Sequence, residues 1–594
     1  MILDCMDIFK KEYEEKGDSL ILDKYTLTPG LYLSVDYNTG EILDTVVVEY
    51  GYKSDYMYDK FIKKDYLSSL LEMNKYVGVK TIHSNNYMSF WIKTENLIPD
   101  AKTGLSKLND EIIDKYYDAL LTIDSKYKSK NDKIIYKSIC DKIGQVNKDR
   151  LELCRAWIKS NLLKESNRLI KELSLTKKHI YTKVFFCTKD SDCIDLYENE
   201  SNRYFYPKIF NNNQYCEIKD GKIYGLPNNN MGMNPKKPFL KQKGKKIEVP
   251  LLVTVEEAIM HKKLFDFFSC LTTGEDKRLN LYIGENGLEP INDANLRDTE
   301  FSGMYIRLAK EKNEAEIVDY SVISRYSPNL SVSYEEIIPH FKDSDRRKNY
   351  GDVETLGHLR ALIDDIFFVK NLNSKMFADR NNIKMSDIKL KKEILLTRDA
   401  YIDWFYKGNR DKINFIFGES ALRLILNNIS NGYINTAIAQ FNLRTAIINY
   451  LKGDRKTVNN VRDLYEEIIL KLDNEEVPVC ESDDEYYFAL GQIVSYLLSQ
   501  SNSSKRKMSE INSVMGCVNN AFLKKRVMAI FKKYNHAIYA NNKVFKKMYS
   551  MIIAYNPSSN KVDREMLCAG YLFSNILFIK KEVEVKNEED VINE

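Results

Sequence analysis

Hydrophobic and polar positions divide the chain into a mixed first part and a helical last part. Leu31-Tyr32-Leu33-Ser34-Val35-Asp36-Tyr37 and Glu41-Ile42-Leu43-Asp44-Thr45-Val46-Val47-Val48 are β-rich runs flanking Asn38-Thr39-Gly40, a spacing that predicts a hairpin. Residues 108 to 173 change to helical spacing, with Leu151, Cys154, Trp157, Ile158 and Leu162 recurring at three- and four-residue intervals. Lys183-Val184-Phe185-Phe186-Cys187 then predicts a strand. From 196 to 250 the breakers Asn211-Asn212-Asn213, Pro227, Asn228-Asn229-Asn230, Pro235 and Pro238 predict a loop-like stretch.

From about residue 355 nearly every segment has a helical period. Such patterns run through 420–428, 434–451, 461–472, 509–534, 542–554 and 563–579. Ser482-Asp483-Asp484-Glu485 predicts a capping box ahead of Tyr486, Leu490, Ile493, Val494, Leu497 and Leu498 on one face. Seven helices joined by short loops predict an antiparallel bundle. The expected class is α+β: a mixed α/β N-terminal region with β-hairpins, followed by an all-helical C-terminal bundle. Boundaries are expected at 1–250, 251–354 and 355–594, with the acidic stretch from Glu582 to Glu594 frayed.

Composition narrows the class. With 594 residues, 44% hydrophobic, 26 Phe and 40 Tyr, the chain has far more to bury than a disordered protein. The longest apolar run, Tyr571 to Ile579, is about half of the ~20 residues a bilayer requires, so a membrane span is not expected. An acidic start, Met1-Ile2-Leu3-Asp4-Cys5-Met6-Asp7, lacks the basic region of a secretory signal, and the expected location is cytoplasmic. In that compartment ten scattered cysteines are expected as free thiols.

A net charge of +4 hides a strong asymmetry. Residues 1 to 50 hold 4 lysines and 11 acids, whereas 201 to 250 hold 10 Lys+Arg and 3 acids. The block 451 to 500 has 5 basic and 11 acidic residues, and 501 to 550 has 11 basic residues and one acid, Glu510. Two basic territories in a nearly neutral chain point to polyanion contacts at two places, because clustering makes the electrostatic footprint.

Known catalytic patterns are few. Gly244-Lys245 is followed by Lys246 where a phosphate-binding loop needs Ser or Thr. His83, His179, His261, His340, His358 and His536 form no metal-binding pair, and Cys187, Cys193 and Cys216 miss the spacing of a zinc knuckle. Glu584-Val585-Lys586 is an ExK pair that a metal-dependent nuclease could use, without an identified partner aspartate. No cofactor is expected, and the alternative to a binding protein is such a nuclease or another nucleic-acid-processing enzyme.

One stretch is dense in recognition chemistry. Gly225-Leu226-Pro227-Asn228-Asn229-Asn230-Met231-Gly232-Met233-Asn234-Pro235-Lys236-Lys237-Pro238-Phe239-Leu240 is followed by Lys241, Lys243, Lys245 and Lys246. Asparagine amides both donate and accept, glycine permits close backbone approach, and lysines hold phosphates, so this run can read base edges while gripping the backbone. The run resembles the signature segment of the large subunit of type I-B CRISPR surveillance complexes. The helical third, with Tyr487-Phe488-Ala489-Leu490-Gly491-Gln492-Ile493-Val494-Ser495-Tyr496-Leu497 and Ala569-Gly570-Tyr571-Leu572-Phe573, is similar in layout to the same family.

The resemblance implies a non-catalytic subunit of a crRNA-guided effector, Cascade, that inspects duplex DNA for the protospacer-adjacent motif, promotes R-loop formation and stabilises the displaced strand. Implied partners are crRNA, target duplex and displaced single strand, CRISPR backbone and crRNA-processing subunits, a small subunit and a recruited helicase-nuclease. It implies motif recognition by Asn228, Asn229, Asn230, Gly232 and Asn234, with Lys236, Lys237, Lys241 and Lys243 on phosphates. Lys505, Arg506, Lys507, Lys524, Lys525, Arg526, Lys532 and Lys533 are expected to hold single-stranded DNA, with Tyr534 and Tyr539 as stacking candidates. Met376 and Met385 stand where an internal start would yield the small subunit.

Overall fold

The computed structural model describes residues 2–579 except 53, 100–105, 128–129, 177, 211–215, 228–251, 274–276, 312–313, 340–350, 454–459, 475 and 502–509. The chain divides into two compact units, residues 1–293 with 302–322, and residues 294–301 with 323–594. Sheets lie in the N-terminal half and helices dominate the C-terminal half, the α+β arrangement expected.

The first unit is built on a four-stranded sheet of order β2-β1-β4-β3, formed by β1 (Gly30–Asp36), β2 (Ile42–Val48), β3 (Ser89–Lys93) and β4 (Tyr181–Cys187). The predicted hairpin is present as antiparallel β1 and β2. Asp36 Oδ1 closes its turn by accepting from the amides of Asn38 and Thr39 at 2.8 and 3.1 Å, and Gly40 supplies the positive φ of 78° that a side chain resists. β1 pairs parallel with β4 and is buried at all 7 positions, as a strand covered on both faces is.

The helical face read at 151–162 is also present. Helix Lys148–Trp157 runs into a π-helical turn, Ile158–Leu163, and Leu151, Cys154, Trp157, Ile158 and Leu162 are all buried. Trp157 donates from Nε1 to the carbonyl of Gly40 at 2.9 Å and so fastens the hairpin turn.

The loop expected from residue 196 is partly a helix. Ile194–Phe205 is helical, with Tyr197, Ser201, Tyr204 and Phe205 turned into the core and Glu200 paired with Arg203 at 2.9 Å. Its many polar letters obscure an apolar stripe made of tyrosines, whose hydroxyls are satisfied by backbone carbonyls: Tyr197 donates to Met88 and Tyr204 to Lys75, each at 2.6 Å. Beyond it lie the short strands β5 (Glu217–Lys219), β6 (Lys222–Gly225) and β7 (Val253–Thr254). Helix Val255–Leu271 follows, opened by a capping box between Thr254 and Glu257. A second sheet of order β11-β10-β8-β9 contains β8 (Arg278–Gly284), β9 (Gly287–Asn292), β10 (Phe301–Glu311) and β11 (Glu314–Tyr326).

The second unit takes in the end of β11, has one small strand pair, β12 (Asn329–Val332) with β13 (Val353–Thr355), and from Leu356 on its described elements are helices. Its helices include Leu356–Phe368, Ile388–Lys407, Asp411–Ser430, Ile434–Lys452, Asn460–Asp473, Asp483–Ser499, Asn520–Tyr534, Lys543–Ala554 and Arg564–Leu572. The segment read as one helix over 509–534 breaks into Ile511–Met515 and Asn520–Tyr534, because Asn519 restarts the helix by accepting from the amide of Phe522 at 3.0 Å.

The Ser482 capping box is half formed. Ser482 Oγ accepts from the amide of Glu485, but the Glu485 carboxylate accepts from the amide of Glu481 at 2.7 Å and pairs with Lys471 at 2.9 Å. The lysine's full charge and the Glu481 amide take the carboxylate in place of the reciprocal amide, so Glu485 ties its helix to the neighbour Asn460–Asp473.

Two glycines set a close helix crossing. A Cβ on Gly491 would stand 2.4 Å from the carbonyl oxygen of Leu567, and one on Gly570 would stand 2.0 Å from that of Phe488. Helices Asp483–Ser499 and Arg564–Leu572 therefore meet backbone to backbone. Buried Gln492 secures the crossing, donating to the carbonyl of Gly570 at 2.6 Å and accepting from the amide of Ile576 at 2.9 Å.

Candidate nucleic-acid interface

Asn228, Asn229, Asn230, Gly232, Asn234, Lys236, Lys237, Lys241 and Lys243 lie outside the described residues, as do Lys505, Arg506 and Lys507. The described strands on either side of the asparagine run, β6 and β7, are antiparallel neighbours with Gly225 opposite Val253. Just before the run, Pro227 forms a β-bridge with Phe210. Gly225 packs against the ring of Phe210 so closely that a Cβ would come within 2.6 Å of it. The described residues on either side of 228–251 thus belong to one small sheet.

The second basic territory is described over helix Asn520–Tyr534. Lys525, Arg526 and Lys532 are exposed. Lys525 and Lys532 are seven residues apart and share one stripe, about 10 Å apart along the axis. Lys525 Nζ lies 5.8 Å from the ring centroid of Phe522, which is 58% exposed, so this face offers cations beside an aromatic surface.

The remaining predicted cations of the helix are engaged. Lys524 Nζ donates to the carbonyls of Tyr555 and Ile553 and to Asn556 Oδ1, closing the C-terminal end of helix Lys543–Ala554. Burial holds its ammonium below the ordinary lysine range. Lys533 pairs with Glu510, whose hydrogen bond moves the lysine upward. Tyr534 is buried at 8% exposure and Tyr539 is 81% exposed, so only Tyr539 presents a free ring face.

The candidate metal ligands make other contacts. Cys187 exchanges a hydrogen bond with Ser34 Oγ at 3.1 Å, and Cys193 donates to the carbonyl of Ser191 at 3.6 Å. His83 bonds Tyr181 Oη at 2.7 Å and the carbonyl of Lys80 at 3.1 Å, while His261 is buried. Among the described residues no group of three or more His, Cys, Asp or Glu is arranged to hold a metal ion. His340 and the Glu584-Lys586 pair lie outside the described residues. Among the described residues no helix is long and apolar enough to cross a membrane.

Periodicity could not reveal the ionic centre of the first unit. Lys183, on β4, pairs with Asp65 at 2.6 Å with both side chains almost fully buried. Its ammonium lies 3.7 Å from the ring centroid of Trp91 and 5.1 Å from that of Tyr32, and Tyr25 donates to the same aspartate at 2.8 Å. Burial lowers the lysine and raises Tyr25 well above the usual phenol range. The sequence signal was a lysine inside an otherwise apolar strand, a position that requires a partner.

No model of a known protein family matches the chain, and no curated protein matches it either.

Proposed function

We propose that the chain is the non-catalytic large subunit of a crRNA-guided type I-B effector, contacting target DNA at two basic surfaces. The observation that carries this reading is the Gly225 to Leu240 run, with asparagines for base edges followed by lysines for phosphates. Support for the nucleic-acid part comes from the exposed cations Lys525, Arg526 and Lys532 on helix Asn520–Tyr534. In this reading guide pairing reads the target sequence, while the protein reads a short motif and backbone shape. The chain works in the cytoplasm with crRNA, backbone and processing subunits, and a helicase-nuclease that arrives later.

Coexpression with its neighbouring open reading frames tests the proposal. A discrete guide-sized RNA and partner proteins copurifying with the chain support it. Metal-dependent DNA cleavage by the purified chain, lost in Glu584→Ala, overturns it in favour of a nuclease.

A further inference from the structure

Three short 3₁₀ turns of the first unit, Met73–Lys75, Ile123–Lys126 and Tyr206–Lys208, each end in a lysine. The first and last are joined through two contacts of Lys75, and Lys126 acts on Lys208 through its charge. Lys75 Nζ donates to the carbonyl of Lys208 at 3.0 Å, and Tyr204 Oη donates to the carbonyl of Lys75 at 2.6 Å. Lys208 Nζ lies 4.0 Å from the ring centroid of Tyr204, is closed off from solvent and makes no hydrogen bond.

Elsewhere in this unit buried lysines receive carboxylates: Lys183 has Asp65 at 2.6 Å and Lys262 has Asp266 at 2.5 Å. Lys208 is treated differently. Burial first, then the like charges of Lys126 and Lys75, hold its ammonium well below the ordinary lysine range. Burial lowers Lys75 and Lys126 as well. The facing carboxylates, Glu72 and Asp132, act on Lys75, and Tyr204 offers its ring to Lys208. Two further cations acting on one unpartnered, buried ammonium cost stability without a compensating structural bond, which points to a site kept for a ligand.

We propose that Lys75, Lys126 and Lys208 form a binding site for a phosphate oxyanion. All three residues are partly exposed although the Lys208 ammonium itself is closed off, and each lysine is a flexible stem carrying three donors. Lys75 uses one donor on the Lys208 carbonyl and keeps the others, while rotation of the Lys208 stem delivers its ammonium to the oxyanion. Binding stabilises the charged form of Lys208, so it is accompanied by uptake of a proton from solvent. The site is separate from the asparagine run and from helix Asn520–Tyr534, and does not depend on the function proposed above.

Equilibrium dialysis of the full chain with radiolabelled inorganic pyrophosphate, at fixed ionic strength, tests this. One saturable site is expected, weakened about tenfold to a hundredfold by Lys208→Met, weakened by Lys126→Met, and unchanged by Lys532→Ala. Absence of saturable binding, or undiminished binding in Lys208→Met, overturns the proposal. Should Lys208→Met fail to fold, Lys126→Met decides, and full affinity in that variant overturns it. A short single-stranded oligonucleotide that displaces pyrophosphate identifies a nucleic-acid backbone as the source of the phosphate, whereas failure to displace identifies a free phosphate compound. Loss of DNA binding in variants of helix Asn520–Tyr534 leaves pyrophosphate binding intact, so the two readings fail separately.

Discussion

His261 sits on helix Val255–Leu271 at 4% exposure, and its Nδ1 has no hydrogen-bond partner. Burial is the first cause that moves the imidazole down, to about 4 from an ordinary 6.5. The linkage has a definite sign. Above 6.5 both folded and unfolded forms are neutral and nothing is lost; between 6.5 and about 4 only the unfolded chain gains the proton, so stability falls as pH falls. The expected loss is about 3 kcal/mol by pH 4. Urea unfolding of His261→Phe should therefore show a shallower decline over that window than the parent chain, and parallel curves would refute the assignment.

Lys183 and Asp65 carry the opposite lesson, because here burial is tolerated only through pairing. Removing one partner strands the other charge among Trp91, Tyr32 and Tyr181. Asp65→Asn is expected to cost about 3–5 kcal/mol. Changing both residues, Asp65→Leu with Lys183→Met, should recover most of that loss, because no unpaired charge remains. A double variant as unstable as the single one would mean that the pair also organises the strand, through Tyr25 on the same carboxylate.

At the scale of elements, the crossing of helices Asp483–Ser499 and Arg564–Leu572 depends on having no side chain at two positions. The atoms that a new methyl group would meet are carbonyl oxygens of helical backbone, which cannot swing aside. Gly570→Ala is expected to destabilise the second unit by about 1–3 kcal/mol or more, read as a lower denaturation midpoint, with Gly357→Ala, which meets nothing within 4 Å, as the permissive control. Periodicity reported both helices, and both glycines lie inside the sequence runs singled out above. Their reason was invisible there, because a close approach belongs to two elements at once. The same limit hid helix Ile194–Phe205, whose stripe is tyrosine, and the lysine cluster at 75, 126 and 208, whose members are adjacent only in the fold. Local signals were legible: the hairpin turn closed by Asp36, the helix start at Ser482 and the buried face from Leu151 to Leu162.

Helix Asn520–Tyr534 shows how an element divides its cations between structure and surface. Lys524 closes a neighbouring helix and Lys533 holds Glu510, leaving Lys525, Arg526 and Lys532 facing solvent. Substituting Lys524 with Ala should lower the melting temperature with little effect on DNA affinity. Replacing Lys525 and Lys532 with Glu should leave melting unchanged, weaken binding to every DNA sequence and flatten the salt dependence, since each phosphate contact contributes about 0.7 to the slope for single strands. An unaltered slope would return these lysines to the role of solubilising charge.

For the molecule as a whole, a balance of 89 basic and 85 acidic residues conceals where the cations stand. One basic territory surrounds the asparagine run, which lies in sequence between β6 and β7, and the other includes helix Asn520–Tyr534 with its exposed lysines. Such a division separates specificity from affinity: amides discriminate bases, whereas ammonium groups hold any phosphate. Under the proposed function, Asn229→Ala or Asn230→Ala should weaken binding to motif-bearing duplex by about 1–3 kcal/mol and leave motif-free duplex almost unaffected. The Lys525 and Lys532 substitutions should lower both equally, so the ratio of the two affinities changes only in the asparagine variants. Equal weakening of both duplexes by Asn230→Ala would move the run to backbone positioning, and the motif reader would then have to lie elsewhere in the chain.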